Sequence, residues 1–195
     1  MNIIYLHGFQ SSSNSIKGQQ LKQYCAQYRP NDVVHLPDLN MHPQHALDLL
    51  STQITNLSDV VLVGSSLGGF YATQLVAKHG IPAVLINPAM RPWHLFRTLF
   101  ATTTLPYAVT ADWSLDEAQL DHLEHISVPF VQDASKILVL LQQGDEVLDY
   151  REAQRYYSEA SQGAMLMIDC HGSHAMDDFA DKIPAVLQFL SDSIK

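Results

Sequence analysis

Val60-Val61-Leu62-Val63-Gly64-Ser65-Ser66-Leu67-Gly68-Gly69 is an apolar run that passes directly into a Gly-x-Ser-x-Gly turn. Three of its first four residues are β-branched, so the run reads as a strand covered on both faces. A helical period follows, with Leu75 and Val76 turned inward. Strand, tight turn and helix in that order hold a serine hydroxyl exposed at the end of a sheet. A turn that sharp leaves no room for flanking side chains, which accounts for Gly64 and Gly68. The helix starting here aims backbone N–H groups and its positive end at negative charge developing nearby. Spacing selects Ser66 over Ser65, because only Ser66 lies two residues from both Gly64 and Gly68. A phosphate-binding helix start is the rival reading, but it lacks the lysine of a P-loop.

Outward from this turn, short apolar runs alternate with helical periods. Residues 3–6, 33–36, 60–63, 83–86, 137–141 and 165–168 read as strands. Leu21, Tyr24, Cys25 and Tyr28 share a helical face, as do Ala46, Leu49, Leu50 and Leu57, and Ala153, Tyr156, Tyr157 and Ala160. The last period joins Phe179, Ile183, Val186, Leu187 and Leu190, with Pro184 placed near a helix start. This alternation predicts an α/β architecture: a mainly parallel sheet of about six strands with helices on both faces. Functional residues then belong at the carboxyl ends of the strands.

One stretch breaks the rhythm. About fifty residues between Ile86 and Ile137 lack a core strand, are punctuated by Pro88, Pro92, Pro106 and Pro129, and carry Trp93, Phe96, Phe100, Tyr107 and Trp113. A plain loop of that length is uncommon. We expect a helical cap insertion, residues 89–132, within a single domain spanning 1–195. The alternative is an ordinary helical packing layer. Its aromatics, Trp93 and Phe96 above all, are expected to line an apolar acyl pocket whose length preference they set. Arg91 and Arg97 are the nearby cations for steering an anionic head group.

The chain has 195 residues, 47% hydrophobic and 16% charged, enough for one substantial core. The formal net charge of −9 argues against nucleic acid and disfavours polyanions unless cations gather locally. No run is long enough to span a bilayer, and the N-terminus carries no secretion signal, so the expected setting is the cytoplasm. Cys25 and Cys170 make no metal or redox spacing and read as core residues. Ten histidines invite a metal reading. The pairs His42/His45, His122/His125 and His171/His174 belong to no metal-binding signature, and no metal or cofactor is expected. Nothing in the sequence sets an oligomeric state.

A nucleophilic serine needs a base, and the base needs a carboxylate, in the chain order Ser, Asp or Glu, His. The strand at 137–141 runs into Gln142-Gln143-Gly144-Asp145-Glu146-Val147, which places Asp145 at a glycine turn where an acid faces the site. Glu146 and Asp149 compete; Asp149 also suits a helix cap. The strand at 165–168 runs into Asp169-Cys170-His171-Gly172-Ser173-His174. Glycine followed closely by histidine, then a helix, favours His174 over His171. Tyr5-Leu6-His7-Gly8-Phe9 closes the first strand, and its His-Gly step lets the backbone pass close to the nucleophile. The backbone N–H groups of Phe9 and Leu67 are the expected oxyanion hole, with His7 supporting the loop.

At these residues the chain resembles the YqiA-like esterases, a small α/β-hydrolase family. The resemblance covers Tyr5 through Phe9 and the serines after it, Gly64 through Phe70, Asn87-Pro88-Ala89-Met90-Arg91-Pro92, Gln143 through Arg151 and the Gly172-x-His174 turn. It implies a compact α/β-hydrolase fold whose sheet lacks the first two strands of larger relatives. It also implies esterase activity on simple acyl esters or thioesters, with Ser66, Asp145 and His174 as triad. The chain departs from the family at His171-Gly172-Ser173-His174-Ala175-Met176 and around Thr110-Ala111-Asp112-Trp113. The reading is a serine esterase without cofactor, acting on a small-molecule ester or thioester. A serine acyltransferase or peptidase on the same scaffold is the alternative, and a non-catalytic binding protein of the same fold the remote one.

Overall fold

A computed structural model describes residues 1–101, 105–159 and 163–194. In chain order they form β1 (Asn2–Leu6), α1 (Ile16–Tyr28), β2 (Val33–His35), α2 (Pro43–Asn56), β3 (Val60–Ser65), α3 (Leu67–His79) and β4 (Ala83–Ile86). There follow α4 (Pro92–Leu99), β5 (Tyr107–Ala108), β6 (Ser114–Leu115) and α5 (Glu117–Ile126). The chain closes with β7 (Ile137–Gln142), α6 (Tyr150–Ser158), β8 (Met165–Asp169) and α7 (Phe179–Ser193).

Six strands make one sheet in the order β2-β1-β3-β4-β7-β8, and every neighbouring pair is parallel. The register pairs Leu6 with Gly64, Ser65 with Ile86, Ile86 with Leu140, and Gln142 with Asp169. The carboxyl ends of five strands therefore share one edge, and the loops leaving them converge. Alternate residues of each strand face opposite cores. Val60 and Leu62 pack with α2, α3, α5 and α6 on one side. Val61 and Val63 pack with α1 and α7 on the other. Double burial is why these strands read as unbroken apolar runs.

The insertion is a helix, a two-stranded antiparallel hairpin and a second helix: α4, β5–β6 and α5. Its residues 102–104 lie outside the described residues. Arg97 on α4 clamps α5 by pairing with Glu117 at 2.6 Å, Asp121 at 2.5 Å and Glu124 at 3.2 Å.

Two sequence expectations change. Pro184 is the sixth residue of α7, not near its start. The helix extends backward to Phe179, and proline is held in the second turn at the cost of one backbone hydrogen bond. Cys170 is exposed just beyond β8, whereas Cys25 is buried. Apolar character does not place a residue that lies past the end of a strand. Ala160, assigned to the face of α6, lies outside the described residues.

Candidate active site

Ser66 sits between β3 and α3 with φ 54° and ψ −117°, a backbone conformation that costs a non-glycine residue on the order of 1–3 kcal/mol. The surroundings hold it there. Its N–H donates to the Ile86 carbonyl at 3.0 Å, and its carbonyl accepts from Gly69, Phe70 and Ala89 at 2.9–3.2 Å. The glycines are required by contact. A Cβ on Gly64 would come 2.4 Å from the Gly68 carbonyl oxygen, and one on Gly68 would come 2.1 Å from that of Leu6. The strained turn thus lets α3 start directly against the end of β1.

His174 Nε2 lies 3.0 Å from Ser66 Oγ, and His174 Nδ1 lies 2.8 Å from Asp145 Oδ2. The Asp145 side chain is buried, and its other oxygen accepts the Val147 and Leu148 N–H groups at 2.9 and 2.8 Å. Those bonds form the turn after β7 and fix which oxygen faces the histidine. Nδ1–H then donates to the carboxylate, leaving Nε2 free to accept from the serine. Asp149 caps α6, accepting the Arg151 N–H at 3.0 Å. Glu146 accepts the backbone N–H of His174 at 3.0 Å, which holds its carboxyl below the ordinary range. His171 is exposed and makes neither of the two contacts of His174.

Two buried polar residues that sequence reasoning did not single out as functional hold the His174 loop. Asn87 Nδ2 donates to the carbonyls of Ser173 and His174 at 3.2 Å each, and its Oδ1 accepts the Gln142 N–H at 3.0 Å. Gln142 Oε1 accepts the Ser173 N–H at 2.8 Å, and its Nε2 donates to Asp178 at 2.7 Å. The signal available was a polar residue closing each of two fully apolar strands, β4 and β7.

His7 is buried. Its Nε2 accepts the Leu39 N–H at 2.9 Å, so the ring proton sits on Nδ1 and goes to the Gly8 carbonyl at 2.9 Å. Gly8 lies against Ser66: a Cβ there would be 3.2 Å from Ser66 Cβ. Leu67 is the first residue of α3, so its N–H has no acceptor within the helix. Phe9, next after Gly8, packs its ring against Phe96 at a centroid distance of 4.5 Å.

The structure does not bring Trp93 and Phe96 to the space beside Ser66. A cavity of about 550 Å³ opens there, walled by the β1–α1 loop, the start of α1 and residues 174–177. Phe96 is buried beneath Phe9, in a cluster with Phe100. Trp93 borders a separate cavity of about 500 Å³ with Pro129 and Tyr156. Phe96, Phe100, Tyr107 and Trp113 turn onto Phe9, itself a large apolar side chain needing cover, whereas Trp93 packs on Phe70. Arg91 pairs with Glu152, and Arg97 with three carboxylates of α5, so neither is a free cation.

His42 gathers His45 and His122, with ring centroids at 5.3 and 5.7 Å. Among the described residues, however, no group of three or more His, Cys, Asp or Glu is arranged to hold a metal ion.

Comparison with solved structures agrees with the topology. Mouse alpha/beta hydrolase domain-containing protein 10 superposes with a TM-score of 0.73 at 16% identity, over 100% of this chain and 90% of that one. A structure from a study of LipS and LipT, described as metagenome-derived lipolytic enzymes, superposes at 0.72 with 16% identity, over 98% and 93%. The fold is that of the α/β hydrolases. Residues 2–191 match the family described as "Uncharacterised protein family (UPF0227)", and the chain belongs to it. A UPF0227 protein of Shewanella woodyi is 37% identical over 96 residues. That match covers 46% of this chain and only about half, 52%, of the relative.

Proposed function

We propose that the protein is a serine esterase. The observation that carries this reading is the unbroken chain Asp145–His174–Ser66, with contacts of 2.8 and 3.0 Å, at the carboxyl edge of the sheet. Each link has the geometry its chemistry requires. His174 Nε2 takes the Ser66 proton as Oγ attacks the carbonyl carbon of a carboxylic ester or thioester. The N–H groups of Phe9 and Leu67 receive the oxyanion. His174 then protonates the leaving alcohol or thiol, and water activated by the same nitrogen releases the acid. Asp145 holds the imidazole tautomer and stabilises its charged form. The fold alone does not name the chemistry. The proposal includes residues 89–132 as a cap that acts by buttressing Phe9, and a cytoplasmic setting in keeping with the free thiols of Cys25 and Cys170.

The test is hydrolysis of short p-nitrophenyl esters and acyl thioesters, together with labelling by a fluorophosphonate probe. No turnover of either class and no adduct would overturn the reading. Two further outcomes are expected. Asn87→Ala removes both ties to the His174 loop and should lower kcat by about 10²-fold, with KM changing far less, because a small displacement of a base is costly. An equal rise in KM would mean that Asn87 serves binding instead. Phe96→Ala empties a buried ring site, at about 3–5 kcal/mol. For a chain of this size that lowers Tm by roughly 10 °C. The acyl-length preference should stay where it was, since Phe96 does not border the cavity. A shifted length optimum would restore Phe96 as a pocket residue.

A further inference from the structure

The cavity beside Ser66 is mixed in character, with Tyr5, Phe9, Ile16 and Met176 among its lining. On the α1 side it presents hydroxyls and amides, among them Ser12, Asn14, Ser15 and Gln20, together with Lys17. An acyl chain gains its binding from carbon walls; this wall offers donors. Lys17 is the only lysine or arginine among the described residues that line it. Its Nζ donates to the Ala175 carbonyl at 2.6 Å, which holds the ammonium against the loop carrying His174. Two of its three N–H groups remain for a ligand. No carboxylate among the described residues lies within 4.0 Å of it. Asp177 on the same wall accepts from Ser173 Oγ at 3.0 Å. Burial pushes the Lys17 ammonium down, and the charge of Asp177 opposes that.

A second observation at the same wall agrees. Ser15 makes no capping bond to α1, whose first turn holds no acidic residue. The positive end of that helix is left uncompensated on the cavity side. Because the protein as a whole carries −9, an anion reaches this site only where a local cation outweighs the general repulsion. Arg91 and Arg97 are both already paired.

We infer that the substrate is an ester bearing an anionic group, a carboxylate or phosphate, and that Lys17 and the start of α1 receive that group. The inference rests on the esterase reading and adds a substrate class to it.

Two pairs of esters test it and locate the charge. p-Nitrophenyl hydrogen glutarate against p-nitrophenyl methyl glutarate places the charge on the acid part. Carboxymethyl butyrate against its methyl ester places it on the alcohol part. In one pair the anionic member should have the higher kcat/KM, by about tenfold or more, as expected for a charge-assisted contact. Ionic strength of about 0.5 M should shrink that preference in the unmodified protein. Lys17→Met should bring the ratio of anionic to neutral kcat/KM to about one, whatever the absolute rates, and Lys17→Arg should keep most of the preference. Should Lys17→Met fail to fold, the preference and its salt dependence in the parent still decide. No preference in either pair, or an equal loss on neutral and anionic esters, overturns the inference. If Ser66 is still labelled and neutral esters are still cleaved, the esterase reading survives that result. If neither occurs, both fall together.

Discussion

Ser66→Ala is expected to abolish covalent labelling and to lower kcat by about 10⁶-fold, the order seen when a triad serine is removed elsewhere. The size follows from the geometry. Ser66 Oγ is the atom 3.0 Å from His174 Nε2, and no second hydroxyl shares that contact among the described residues. Ser65 precedes it in β3 and borders the same cavity, but it is buried and its hydroxyl meets Tyr5 and not His174. Ser65→Ala should therefore keep its label and its turnover. Peptide mapping after phosphonylation reads the outcome directly. An adduct on Ser65, or a labelled Ser66→Ala protein, would remove the nucleophile assignment. Because alanine fits the space of serine, the fold should persist, and an unchanged Tm separates lost chemistry from lost structure.

Asp145→Asn is expected to reduce kcat by about 10⁴-fold, as for triad aspartates in other enzymes. Asparagine can keep the bonds from the Val147 and Leu148 N–H groups through its carbonyl oxygen, so the turn survives. Its amide nitrogen then faces His174 Nδ1, which must accept instead of donate. The ring proton moves to Nε2, the atom that has to take the serine proton. Asp149→Ala makes the contrast. It removes the cap of α6, which costs about 1 kcal/mol and lowers Tm by a few degrees while leaving kcat in place. Should Asp149→Ala prove the more damaging to kcat, the acid has been assigned to the wrong carboxylate. Thermal melts and steady-state rates on the two variants separate the cases.

Much of the architecture can be read along the chain because its rules are local. A strand covered on both faces is apolar along its buried length, so residues 60–63 of β3, 83–86 of β4 and 137–141 of β7 announce themselves without reference to their neighbours. The turn at Ser66 needs Gly64 and Gly68 because a Cβ at either would strike backbone. Asp145 and His174 stand in the loops after β7 and β8, and a parallel sheet brings such loops to one edge whatever their separation in sequence. Pro184 shows where local rules fail: the packing of Phe179 and Ile183 against the sheet draws the helix backward past a proline. Asn87 and Gln142 escaped notice as functional residues because their partners lie 86 and 31 residues away.

By itself, then, the sequence determined the alternating α/β order, the glycine-flanked turn at Ser66 and the loops that carry Asp145 and His174. Each of these follows from side-chain periodicity or from backbone sterics within a few residues. Tertiary structure alone decided what surrounds them. Phe96 covers Phe9 and does not face a ligand, and Arg97 is spent on three carboxylates of α5. Lys17, on an otherwise unremarked helix start, borders the cavity beside Ser66. A side chain's destination is set by which surfaces meet, and those surfaces come from elements far apart in the chain. Aromatic content could therefore mark the insertion as something that packs, but only the folded chain showed against what.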